Sequence, residues 1–73
     1  MRKLLHIIPI PDDALKEYCM KLWCKEQFGH EYWSGNRDGI WESRFDYNNV
    51  FKAKRIFCFE YESDAMRFAL RWI

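Results

Sequence analysis

The sequence predicts one small α+β domain: a small antiparallel sheet with two helices packed on one face, in the order β-α-β-β-β-α, a ferredoxin-like variant. Three observations carry that prediction. Apolar residues recur at helical spacing over 12–28 and again over 64–73. Between them the pattern switches to alternation, punctuated by Gly, Asn and Asp. The chain has 73 residues and no linker, repeat or low-complexity stretch, so it holds one domain spanning 1–73 and one core.

Residues 3–10 read as a strand. Leu4, Leu5, Ile7, Ile8 and Ile10 make it apolar on both faces, which suits a strand covered on both sides or one at a dimer edge. Pro9 has no N–H, so one side of its end should be unpaired. A helix follows over 12–28, opened by Asp12 as the cap and stopped by Gly29 in the left-handed conformation. Leu15, Tyr18, Cys19, Leu22 and Trp23 form its expected core face, with Lys16, Glu17, Lys21, Lys25 and Glu26 over the rest.

Glu31–Ser34 reads as a short strand, Gly35–Gly39 as a turn and Ile40–Tyr47 as the return strand. On that return strand Trp41, Ser43, Phe45 and Tyr47 share one face, while Glu42, Arg44 and Asp46 face water. After a second turn at Asn48-Asn49, Lys54–Tyr61 reads as a central strand with Phe57, Phe59 and Tyr61 on one side. Ser63 is placed to cap the last helix, which sets Ala65, Phe68, Ala69 and Trp72 inward and leaves Arg67 and Arg71 exposed.

Composition narrows function. A net charge of +1 lacks the basic excess of a dedicated nucleic-acid binder. Fourteen aromatic rings are more than one small core conceals, and exposed apolar surface usually marks an interface. Three cysteines, none in a Cys-x-x-Cys pair, read as buried thiols in a reducing compartment. Residues 1–11 imitate a signal peptide, but His6 and Pro9 break the apolar run and no cleavage site follows. The expectation is a cytoplasmic protein with no membrane partner.

No residue pattern supplies chemistry. His6, His30, Cys19, Cys24 and Cys58 fall at no zinc-site spacing, so no metal or cofactor is expected. Cys24 with His30 is the one local nucleophile–base pair, and it sits near a helix C-terminus, where the dipole opposes a thiolate. The pairs Glu42/Asp46 and Glu60/Glu62 look like solvated strand faces, and the glycines at 35 and 39 match no phosphate loop. The chain reads as a non-enzymatic binding protein with no catalytic residue. Tyr32, Trp33 and Trp41 are the expected anchors for a protein partner or a second copy, flanked by Arg37 and Arg44. The alternative is single-stranded nucleic acid held by Lys52, Lys54 and Arg55 beside the rings of the central strand.

The run from Phe57 to Trp72, an aromatic strand, an acidic cap and a helix reading DAMRFALRW, resembles the ending of small accessory proteins encoded by tailed bacteriophages. The opening Ile8-Pro9-Ile10-Pro11-Asp12-Asp13 is similar to their start. That resemblance implies an accessory protein that binds and modulates a host or phage protein, and it brings no catalytic residue.

Overall fold

The computed structural model describes residues 4–10, 13–46 and 54–73. Among these the order is β1 (His6–Pro9), α1 (Ala14–Phe28), β2 (Trp41–Asp46), β3 (Lys54–Phe59) and α2 (Glu62–Trp72). The fold is therefore α+β, with a three-stranded antiparallel sheet and two helices. The sheet order is β1-β3-β2, with His6 opposite Phe59 and Trp41 opposite the same residue from the other side. Because both outer strands run antiparallel to β3, β1 and β2 are parallel to each other, with β3 inserted between them.

The expected strand at 31–34 is not one. Trp33 and Asn36 form a single bridge around a tight turn, exchanging N–H···O bonds of 3.3 and 2.8 Å. The preceding residues instead lie along the outer edge of β2. The Tyr32 N–H donates to the Trp41 carbonyl at 2.7 Å, and the Glu31 carboxylate accepts from the Ser43 N–H at 2.8 Å. A side chain thus takes the role a fourth strand would have played, satisfying edge groups that would otherwise be unpaired. Gly39 permits this approach, since a Cβ there would collide with the backbone of Glu31 and Tyr32.

The sheet buries one face against both helices. Alternation along β2 puts Trp41 and Ser43 on that face, beside Phe57 and Phe59 of β3. Phe68 and Ala65 of α2 and Met20 and Cys24 of α1 close over them. Phe57 stacks on Phe68 with ring centroids 4.7 Å apart and on Trp41 at 6.1 Å. Trp23 of α1 meets Trp72 and Phe68 of α2, which sets the helices side by side.

Helix α1 is capped by Asp13, whose carboxylate accepts from the Lys16 N–H at 3.1 Å, while Asp12 lies outside the described residues. Gly29 ends it at a positive φ of 86°, which favours glycine, although its ψ of −163° is not that of the left-handed helical stop expected. Helix α2 begins two residues earlier than anticipated: Tyr61 is its N-cap and makes no side-chain cap bond, so Ser63 lies within the first turn. Glu62 and Asp64 place negative charge at that positive helix end instead. Phe45, Arg55 and Glu17 join the layers at the far end: the Arg55 guanidinium lies 4.0 Å over the Phe45 ring, and its Nε meets Glu17 Oε1 at 2.8 Å.

Candidate functional site

The expected core face of α1 points the wrong way. Leu15, Tyr18, Cys19 and Leu22 are exposed, with Leu15 showing 76% of its surface. The side that packs inward carries Met20 and Cys24, with Phe28 half-buried against the core. Leu15 and Cys24 are nine residues apart, roughly 180° around a helix at 100° per residue. Of the face anticipated from spacing, Trp23 alone packs against the core cluster, so Cys19 is a surface thiol and Cys24 a buried one.

The helix therefore carries apolar residues on opposite sides. Such a helix is normally covered all round. Here the outer stripe Leu15–Tyr18–Leu22 is left in solvent and continues, at i+3 from Leu22, into Lys25. Lys25 lines an adjoining cleft of about 460 Å³ with His30, Glu31, Trp33, Gly35 and Asn36. Trp33 is 62% exposed, and its indole lies over Gly35, which holds the ring flat at the mouth of the cleft. The Asn36 side-chain amide donates to the Glu31 carbonyl at 3.2 Å, so the turn behind the ring is fixed.

The anticipated partner residues separate. Trp33 is on the surface and Tyr32 is half-buried beside it. Arg37 is exposed on the same turn, and Arg44 is exposed on β2, where its Nε lies 3.7 Å from Glu42. Trp41 does not join them: it is 1% exposed, stacked on Phe57, and its Nε1–H donates to the Gly29 carbonyl at 2.8 Å. The alternation along β2 turns its ring toward the helices, so it is a core residue that latches β2 to the end of α1.

The nucleic-acid residues fare similarly. Arg55 is engaged by Glu17 and Phe45, and the rings of Phe57 and Phe59 are sealed beneath the helices, where no base can stack on them. Lys52 and the side chain of Lys54 lie outside the described residues.

Chemistry elsewhere is muted. Burial, then the nearby Glu31 carboxylate, pushes the Cys24 thiol up to about 12, so it stays protonated and is no nucleophile at neutral pH. Burial also raises Glu42 above the ordinary carboxylate range; Arg44 opposes that shift and Glu31 adds to it. Among the described residues no cluster of His, Cys, Asp and Glu is placed to hold a metal ion. No described helix is long and apolar enough to cross a membrane. Comparison with family models, curated proteins and solved structures finds no match.

Leu15, Tyr18 and Leu22 are the functional candidates that sequence reasoning misassigned. The signal was present: α1 has enough large apolar residues for two faces, whereas a domain this small covers one.

Proposed function

We propose that this is a non-enzymatic binding domain that engages a protein partner through the outer stripe of α1 and the Trp33 cleft. The observation that carries the reading is the solvent-facing row Leu15, Tyr18 and Leu22, diametrically opposite the buried face of the same helix. Lys25 and Glu26 border that row, and Lys25, His30 and Glu31 line the cleft, so the surface suits an apolar segment edged by polar groups of either sign. Tyr and Trp are efficient anchors because they bring large contact area at low entropic cost. Arg37, exposed on the same turn as Trp33, supplies a further cation.

The resemblance to phage accessory proteins belongs to the same proposal and supplies the partner class, a host or phage protein met in the cytoplasm. So does the ferredoxin-like relationship: β1, α1, β2, β3 and α2 follow the first five elements of the β-α-β-β-α-β motif.

The test is affinity capture with the wild type, Leu22→Glu and Trp33→Ala in parallel, with crosslinks to the captured protein mapped. Loss of capture in both variants, with crosslinks on α1 and the 30–36 segment, supports the reading. Capture indifferent to both substitutions refutes it. A steeply salt-dependent gel shift with short oligonucleotides would favour the nucleic-acid alternative instead.

A further inference from the structure

We infer that the open edge of β1, together with the overhanging outer side of α2, is a self-association surface that pairs two copies of this chain across a two-fold axis.

The strand edge comes first. Ile10 donates its N–H to the Arg55 carbonyl, and the register sets His6 and Ile8 opposite Phe59 and Phe57. Antiparallel pairing alternates which residues turn their N–H and C=O toward the neighbour. His6, Ile8 and Ile10 therefore bond to β3, and Leu5, Ile7 and Pro9 present their backbone groups outward. Among the described residues β1 has no second neighbour. Pro9 lacks an N–H, so the edge offers donors at Leu5 and Ile7 only, which limits pairing to a short central segment.

The helix supplies the second half. Met66, Leu70 and Ile73 recur at i, i+4 and i+7 and are all exposed, Leu70 at 86%. Met66 and Ile73 lie on the flank of α2 away from α1, with Leu70 on the outward ridge beside them. The opposite flank is fixed by Arg67, whose Nη2 donates to Gln27 Oε1 at 2.7 Å, and by Phe68 and Trp72 against Trp23. Since α2 packs on β1 and β3 and α1 on β2, the side away from α1 overhangs the open rim of the sheet.

A second copy fits both halves at once. Antiparallel pairing of two β1 strands near Ile7 places Ile7 against its equivalent on the outer face of the sheet. Strands lie ~4.8 Å apart, so a helix seated over β1 and β3 is about 5 Å from the axis, and the two α2 helices come to about 10 Å. That matches the 8–10 Å of packed helices, which brings the Met66–Leu70–Ile73 rows together. Leu5, Ile7, Met66, Leu70 and Ile73 together expose on the order of 600 Å² per copy, approaching the ~800 Å² a standard interface buries on each side. The patch is self-complementary, strand to strand and stripe to stripe, as a two-fold interface demands.

The inference is independent of the α1 surface, and the experiment separates the two. Analytical ultracentrifugation of the full chain across micromolar to high micromolar concentrations should show a species of twice the 9.1 kDa chain mass. Ile7→Lys and Leu70→Glu should each weaken dimerisation at least about 100-fold, because each buries an unpaired charge, while the circular dichroism is unchanged. Leu22→Glu should leave it intact. Hydrogen exchange should find the Ile7 amide protected at dimeric concentrations and unprotected on dilution. A wild type that stays monomeric overturns the inference. So does a dimer disrupted by Leu22→Glu but not by the other two, or one whose Ile7 amide exchanges freely. Should either variant lose its fold, the wild-type exchange of Ile7 decides.

Discussion

Trp41→Phe isolates the latch between β2 and the end of α1. The substitution keeps a ring against Phe57 but deletes the Nε1–H that donates to the Gly29 carbonyl at 2.8 Å. A lost hydrogen bond of this kind costs about 1 kcal/mol, with more if the carbonyl stays dry. The smaller ring leaves a void in a site that is 1% exposed, adding about 1–2 kcal/mol. The expected loss is about 2–3 kcal/mol out of roughly 4–11 kcal/mol for a chain of this length. At ~4–8 °C per kcal/mol in small domains, Tm should fall by about 10–20 °C. Urea titration followed by far-UV circular dichroism measures it, with Trp33→Ala as the surface control, expected within about 0.5 kcal/mol of wild type. A Trp41→Phe protein as stable as the control would refute the latch and return Trp41 to the surface.

Three further outcomes follow from the same packing. Gly39→Ala should destabilise by about 2 kcal/mol or more, read from the urea midpoint, because its methyl group meets the backbone at Glu31 and Tyr32; an unchanged midpoint would show that the 31–32 segment does not lie against β2. In the native protein a thiol reagent should modify Cys19 and spare the buried Cys24 and Cys58, as mass spectrometry would read; equal labelling of all three contradicts the burial pattern. Glu42 holds its proton more tightly folded than unfolded, so its contribution to stability falls as pH rises through the window just above the ordinary carboxylate range. E42Q should accordingly gain on the wild type as pH rises from the ordinary carboxylate range to just above it in paired urea titrations, and a constant difference would contradict the shift.

Much of this architecture is legible in the residues. Alternation locates β2 and β3, groups Trp41 with Ser43 on one strand and groups Phe57 with Phe59 on the other. Helical spacing finds α2 with Ala65 and Phe68 inward, and Gly29 marks the end of α1. Three things escape that reading, each for a physical reason. On α1 the apolar residues suffice for either face, so spacing alone cannot say whether Leu15 or Cys24 is inside; the partner element decides. The segment at 31–34 has the composition of a strand, but the close approach at Gly39 and the reach of the Glu31 carboxylate turn it into an edge cover. Trp41 looks like surplus aromatic surface only while the hairpin is imagined as a free-standing ribbon. Of the five residues expected at the binding surface, Trp33 lines the cleft and Arg37 is exposed on the same turn. Tyr32 supports them, Arg44 sits on β2 and Trp41 is inside.

The carboxylate of Glu31 along β2 also governs how large any assembly of this chain can grow. With the Trp41 carbonyl and the Ser43 N–H of that rim engaged from within, the strand border left open among the described residues is that of β1. A molecule with one adhesive border closes on a single mate and then has nothing left to recruit a third, so growth ends in a finite particle. Glu31→Ala would free the Ser43 N–H while Tyr32 still holds the Trp41 carbonyl, so it would loosen the plug without giving each copy a second full border.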